Sequence, residues 1–424
     1  MLRPRWARLA GALAFSLAAC TPPAATSTAA PSATAPPVVP STLAPASSTP
    51  PPILLTLWLP PFLAPDVNQP AGSLLAERLQ SFEDSHPGVQ LAVRAKESEG
   101  ASGLLETLRA ASVVAPDAVP DLIALSPGDL AVAAEEEVVQ PYPGPLPPPQ
   151  EEEWFEFALA SASAQGTRYG VPSAGQTDVL VYDVSAYGRL PSDWAAIVGG
   201  PAPFLFPAAD PRAAFTLAQY LAASGPLVTP QGGPAIDPGS LEGVLTFFGS
   251  AYSAGVLPLT SRQYTMAAET ADVFAQHRAV SAVAPLETWM ADPPPGSAAG
   301  ALPTRDGSGV ALARTWTWSV VTKRPQVQAI AVDLVEWLSD PEFLGAWTYA
   351  LGSLPPNAAA LENWPAGTAK ALVQQLAVVA QPLPSRVVAD IVGPALHKAV
   401  EAVLSGAMTP QTAALQASTE VAGP

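Results

Sequence analysis

Cysteine is all but missing: the 424 residues contain one, Cys20. That excludes an internal disulfide and a Cys-rich metal cluster. Histidine is scarce too. His86, His277 and His397 are scattered, with neither H-E-x-x-H nor H-x-H spacing, so no metal site is expected. There is no G-x-S-x-G, and no glycine-rich phosphate loop, since QGGP at 231–234 reads as a turn. Positive charge is in short supply: 19 Lys and Arg against 36 Asp and Glu give a formal net charge of -17. This argues against nucleic acid or an anionic membrane surface as partner, and mildly against anionic ligands. No apolar run reaches the roughly 20 residues of a spanning helix. The two acids of a glycoside hydrolase can come from anywhere in a chain, and no local signal points to such a pair. The sequence reads as a non-enzyme without a cofactor.

What is present begins at the N-terminus. Arg3, Arg5 and Arg8 precede an almost wholly apolar stretch from Leu9 to Ala19, the pattern of a cleaved secretory leader. Leu17-Ala18-Ala19-Cys20 resembles the bacterial lipobox, in which the Cys is diacylated and becomes the new N-terminus. Two acyl chains anchor stably where one is marginal, at ~0.8 kcal/mol per buried CH₂. From Thr21 to Pro52 the chain holds 10 Pro, 11 Ser or Thr, 8 Ala and no charge. Such a segment buries no core. It reads as a tether reaching roughly 30 Å as a coil and about 100 Å if extended.

The remaining body of about 370 residues is long for one core, and two domains are expected. Ile53–Leu59 reads as a buried strand. Ser73–Ser85 carries Leu75, Leu79 and Phe82 on one helical face and stops at Pro87-Gly88. Strands follow near 89–93 and 121–125. Ser126-Pro127 then supplies a cap and a first-turn proline for a helix toward Val138. Val179–Tyr182 reads as another strand, and Leu241–Tyr252 and Pro325–Leu338 as amphipathic helices. The order strand–helix–strand–strand–helix indicates an α/β fold with a mainly parallel sheet.

Seven stretches, in order, resemble the extracellular solute-binding proteins of ABC importers, the class that includes maltose- and other sugar-binding proteins. They are TLWLPP at 56–61, LAERLQSFEDSHPGVQLAV at 75–93, PDLIALSPGDLAVAAEEEVVQPY at 120–142, GTRYGVPSAGQTDVLVYD at 166–183, VFAQHRAVSAVAPLETW at 273–289, the segment 302–342 with its TWTW, and GSLPPNAAAL at 352–361. The chain departs from the family pattern at Asp183, where Asn is usual, at Glu137 or Val138, where Gly is common, and at His277-Arg278, where Gly-Lys is common.

The resemblance implies a type II periplasmic-binding-protein-like fold, α/β, with two lobes of mainly parallel central sheets joined by a hinge. Residues 1–19 would be the leader and 20–52 the lipidated Cys and tether. Lobe 1 would be 53–172 with 303–352, and lobe 2 would be 173–302 with 353–424. Crossings are expected at 172–177, 301–306 and 354–358. It further implies a membrane-anchored monomer outside the cytoplasmic membrane that hands a small solute to an ABC permease. A sugar needs aromatic plates and directed polar groups. The aromatic candidates at cleft-matching positions are Trp58, Trp289, Trp316 and Trp318, each facing either ligand or core. The polar ones are Ser126, Asp129, Gln176, Thr177 and Asp178. Trp194, Trp337 and Trp347 read as structural. The alternatives are another small solute (a polyol, a glycerol-phosphate ester, a polyamine or other cation) or a surface receptor or adhesion module without transport.

Overall fold

The computed structural model describes residues 52–66 and 68–423. The leader, Cys20 and all but the last residue of the tether lie outside the described residues. The strands are β1 (Ile53–Leu59), β2 (Val89–Ala95), β3 (Leu122–Leu125), β4 (Ser163–Ala164), β5 (Thr167–Arg168), β6 (Val171–Gln176), β7 (Asp178–Asp183), β8 (Phe204–Leu205), β9 (Ser281–Pro285), β10 (Ser297–Gly300), β11 (Ala311–Val320) and β12 (Ala380–Pro382).

One sheet runs β12-β11-β3-β1-β2, with β6 also pairing to β11. Its interior strand β1 is parallel to both β2 and β3. Leu55, Leu57 and Leu59 are fully buried there, as a near-continuous apolar strand requires when both faces are covered. The second sheet runs β10-β7-β9-β8. Parallel character belongs chiefly to the first sheet. In the second, β7 is antiparallel to both neighbours, and only β8 with β9 is parallel.

The chain leaves the first sheet at the end of β6, passes through Thr177, and enters the second with β7. It returns between β10 and β11. Each sheet has its own core. Around the first, Leu75, Leu79 and Phe82 of the helix Pro70–Ser85 pack with Leu334 and Leu338 of Pro325–Leu338. The indole of Trp337 meets that first helix: its Nε1 donates to the Arg78 carbonyl at 3.1 Å, and the Arg78 guanidinium lies 4.3 Å above the ring. Around the second, Phe206 stacks on Phe248 at 4.8 Å, and Trp194 stacks on Phe247 at 5.0 Å. Trp194 and Trp347 are buried structural residues, as expected.

Local signals hold where they were strong. Ser126 caps the helix Pro127–Glu135, its Oγ accepting from the Asp129 amide at 3.3 Å. That helix stops before Glu137, which adopts φ 56°. A glutamate thus takes the left-handed position that glycine occupies at lower cost. Among the described residues no helix is long and apolar enough to cross a membrane.

Gly170 lies under β11. A Cβ there would fall 2.2 Å from the Trp318 carbonyl oxygen and 2.5 Å from Thr317 Cγ2. Gly170→Ala should destabilise by about 2–3 kcal/mol through overpacking. Gly243, inside the helix Pro238–Ser253, meets nothing within 4 Å. Gly243→Ala should instead stabilise by roughly 0.5–1 kcal/mol. Urea midpoints of the two variants should move in opposite directions, and a common shift would contradict this packing.

Candidate functional site

The crossing at Thr177 opens onto a groove with a free volume of about 630 Å³. Its walls come from several separated segments, five of which carry its charged side chains. Glu97–Glu99 follow β2. Gln176–Asp178 are the crossing itself. Asp210 and Arg212 precede the helix Ala214–Ala222, Glu287 follows β9, and Arg314 lies on β11. Gln176 and Glu287 also line a continuation bounded by Phe62, Asp66, Gln69 and Ser353. At the other end Glu99, Arg212 and Arg314 border a smaller pocket reaching Ser126, Asp129 and Arg386.

Strand pairing explains why these groups meet. In the β6–β11 register, Gln176 lies opposite Arg314. In the β7–β9 register, Asp178 lies opposite Pro285. The Leu286 amide then donates to the Thr177 carbonyl at 2.9 Å, which carries Glu287 to the same edge. Trp316 Nε1 donates to Gln176 Oε1 at 3.2 Å, and Gln176 Nε2 reaches Glu287 Oε1 at 3.4 Å. The amide is thereby oriented by an indole behind it. Glu287 Oε2 is buried and has no hydrogen-bond partner.

Charge is unevenly satisfied. Glu99 accepts from Arg212 at 2.8 and 2.5 Å and from Arg314 at 3.3 Å. The Arg212 hydrogen bond in particular holds its carboxyl below the usual range. Asp210 accepts from the Arg212 amide at 2.9 Å and the Ala214 amide at 2.7 Å, so it serves the start of the next helix. Asp178, by contrast, joins no ion pair among the described residues. Burial first, then the charges of Glu287 and Asp210, push its carboxyl up to about 7 against the pull of Arg314. Burial also raises Glu287. The groove therefore offers two carboxyl groups without a cation of their own.

The expected site residues divide. Gln176, Thr177 and Asp178 are on the groove wall. Ser126 and Asp129 line the smaller pocket and are already engaged: Ser126 Oγ donates to Asp129 Oδ2 at 3.0 Å, and Arg386 Nη1 donates to Oδ1 at 3.0 Å. None of the four tryptophans lines the groove. Trp58 is 3% exposed, with the Lys96 ammonium 5.1 Å from its ring. Trp318 is 1% exposed and stacks on Trp347. Trp289 is buried, and its Nε1 donates to Ser297 Oγ at 3.3 Å. Trp316 is 1% exposed behind Phe62, edge to face at 5.3 Å. The reason is the same for Trp316 and Trp318: β11 is an interior strand covered on both faces, so even Thr315 and Thr317 are buried. The aromatic rings at the groove are Phe215 and the half-exposed Phe62. Sequence reasoning missed Phe62, Glu99, Arg212, Glu287 and Arg314. Only Phe62, directly after the TLWLPP stretch, carried a usable signal.

A family model for bacterial extracellular solute-binding proteins matches residues 77–374. The chain belongs to that family. Solved structures similar to this solute-binding protein include the sugar-binding protein MalE of the phytopathogen Xanthomonas citri, at TM-score 0.73 and 17% identity, over 87% of this chain and 96% of that one. Another is the cyclic alpha-maltosyl-1,6-maltose binding protein of Arthrobacter globiformis, at TM-score 0.71 and 18% identity, over 87% and 98%. The maltose/maltodextrin-binding domain MalE of Bdellovibrio bacteriovorus, bound to maltotriose, aligns at TM-score 0.62 and 18% identity, over 87% and 99%. No curated protein matches this solute-binding protein by sequence. At these identities the structures speak for the fold, and the expected α/β, type II periplasmic-binding fold is the fold of this chain.

The raised Asp178 carboxyl gives a pH dependence with a defined sign. Between its ordinary value of 3.8 and about 7 the native state holds a proton that the unfolded state has lost. Native stability therefore falls as pH rises through that window and is level above it. Asp178→Asn should flatten this slope, by at most about 1.4 kcal/mol per pH unit. The variant and parent should coincide near pH 4 and diverge by pH 8, the variant being the more stable. Urea unfolding across that range checks it, and parallel curves would contradict the buried-carboxyl account.

Proposed function

We propose that the protein is the receptor of an ABC importer, a non-catalytic monomer, and that its solute is a carbohydrate held in the groove. The observation that carries this reading is the groove wall: Gln176, Thr177, Asp178 and Glu287 stand side by side, with Phe62 at the adjoining rim. Sugar hydroxyls both donate and accept. A carboxyl raised to about 7, a second buried carboxyl and an oriented amide supply both roles, while a phenyl ring covers a sugar's C–H face. Unpaired buried polar groups cost about 1–3 kcal/mol, so a solute that satisfies Glu287 and Asp178 gains selectivity over one that does not. The sugars named for the three related structures support this class.

In this reading the body forms two lobes, one around each sheet; the boundary expected at 172/173 lies instead at Thr177, since β6 pairs with β11 of the first sheet as far as Gln176. The lobes turn about the crossings at Thr177, 301–306 and 354–358, and the shut form is what the permease reads. Cys20 carries the lipid after removal of 1–19, and 21–52 is the tether that holds the body outside the cytoplasmic membrane. A second reading, a cationic solute such as a polyamine, is favoured by the lack of a cation on Asp178 and Glu287.

The two readings separate in a thermal-shift series with maltose, maltotriose, longer maltodextrins, polyols and spermidine. The first expects stabilisation by a carbohydrate, about 2.7 kcal/mol at 100 times Kd. It also expects Phe62→Ala to weaken that binding roughly fivefold, as loss of about 1 kcal/mol of stacking implies. A shift with spermidine and none with any carbohydrate would replace it with the second.

A further inference from the structure

The two ends of the groove are built differently. At the Phe62 end no ion pair among the described residues joins the half around the first sheet to the half around the second. At the opposite end such pairs are concentrated. Glu99, just after β2, receives the Arg212 guanidinium through two oxygens at 2.8 and 2.5 Å. Arg212 leads into the helix Ala214–Ala222, which packs in the core of the second sheet. Behind it, Arg386 opens the helix Arg386–Leu404 of the same core and donates to Asp129 at 3.0 Å. Asp129 is 5% exposed on the helix Pro127–Glu135 of the first half. Backbones also touch here: a Cβ on Gly128 would lie 3.0 Å from Arg386 Cβ.

A single exposed ion pair contributes little. These two differ in having one bidentate Arg–carboxylate contact and one nearly buried carboxylate. They also lie side by side, since Arg314 and the wall of the smaller pocket connect them. We infer that Arg212–Glu99 and Arg386–Asp129 form an electrostatic latch. It holds the two halves together along one edge of the groove and so limits how far the solute's groove can open. Asp129 then works as a latch acceptor and not as a contact for the solute. The word solute rests on the receptor reading above; the latch itself does not.

The test uses the full chain carrying Cys20→Ser, with spin labels on Val113→Cys and Leu415→Cys, exposed positions of the first and second halves. Pulsed dipolar distances are measured without ligand at about 0.05 M and about 0.5 M NaCl, where screening lengths differ severalfold. The native pair should give a narrow distribution at low salt that broadens to longer distances at high salt. Glu99→Gln with Asp129→Asn should show the broad, long distribution already at low salt. The swap Glu99→Arg with Arg212→Glu should restore much of the narrow one, which a purely structural loss would not allow. Circular dichroism confirms that each variant is folded, and Arg212→Gln substitutes if the double variant is not. Distances that are the same in native and latch variants at both salts would overturn the inference. If the distances respond as expected but no carbohydrate changes the melting temperature, the carbohydrate reading fails and the latch stands.

Discussion

Strand β11 is the constraint on which the rest hangs. Its ten residues pair with β12 at one end, β6 along the middle and β3 at the other. It is the strand by which the chain, having built the second sheet, returns to the first. Neighbours cover it on every side, and the Thr315, Thr317 and Ser319 hydroxyls are buried there without a hydrogen-bond partner. Arg314 is the point where this interior strand emerges at the groove. The position of the groove therefore follows from where β6 and β11 come apart, and the groove is as rigid on that side as the sheet itself.

The opposing requirement is charge. A groove that carries Asp178 and Glu287 without a cation is electrostatically uncomfortable, and burial raises both carboxyls, Asp178 to about 7. A short distance away Glu99 is oversupplied, with two guanidinium groups. The protein thus separates a paired region from an unpaired one within a single concavity. Pairing favours a fixed arrangement of the walls, and in the proposed reading the unpaired groups are those that meet the solute.

Much of the fold was legible because it is written locally. The apolar run of β1, the stripe of Leu75, Leu79 and Phe82, and the Ser126-Pro127 cap each act within a turn or a strand. Of the crossing expected at 172–177, residues 172–176 lie in β6 of the first sheet, and the passage to β7 is Thr177. The pairing in the second sheet was not legible, since parallel and antiparallel neighbours share the same strand sequences. The site was legible only where the chain itself forms it, at Gln176, Thr177 and Asp178. Tryptophan was a misleading guide: a large ring serves a core as well as a ligand, and nothing in TWTW distinguishes an interior strand from a cleft wall. Glu287 and Arg212 gave no signal at all, because only long-range pairing makes them neighbours.

One arrangement has an optical side. Trp316 is sealed from water, yet it touches the groove twice, through its N–H on Gln176 and its ring edge on Phe62. An indole in a dry, fixed site emits at short wavelength, and its emission is sensitive to the field along its N–H bond. Anything that turns the Gln176 amide or lifts Phe62 would change that field without wetting the ring. Trp316 is therefore a fluorophore whose emission follows any displacement of Gln176 or Phe62.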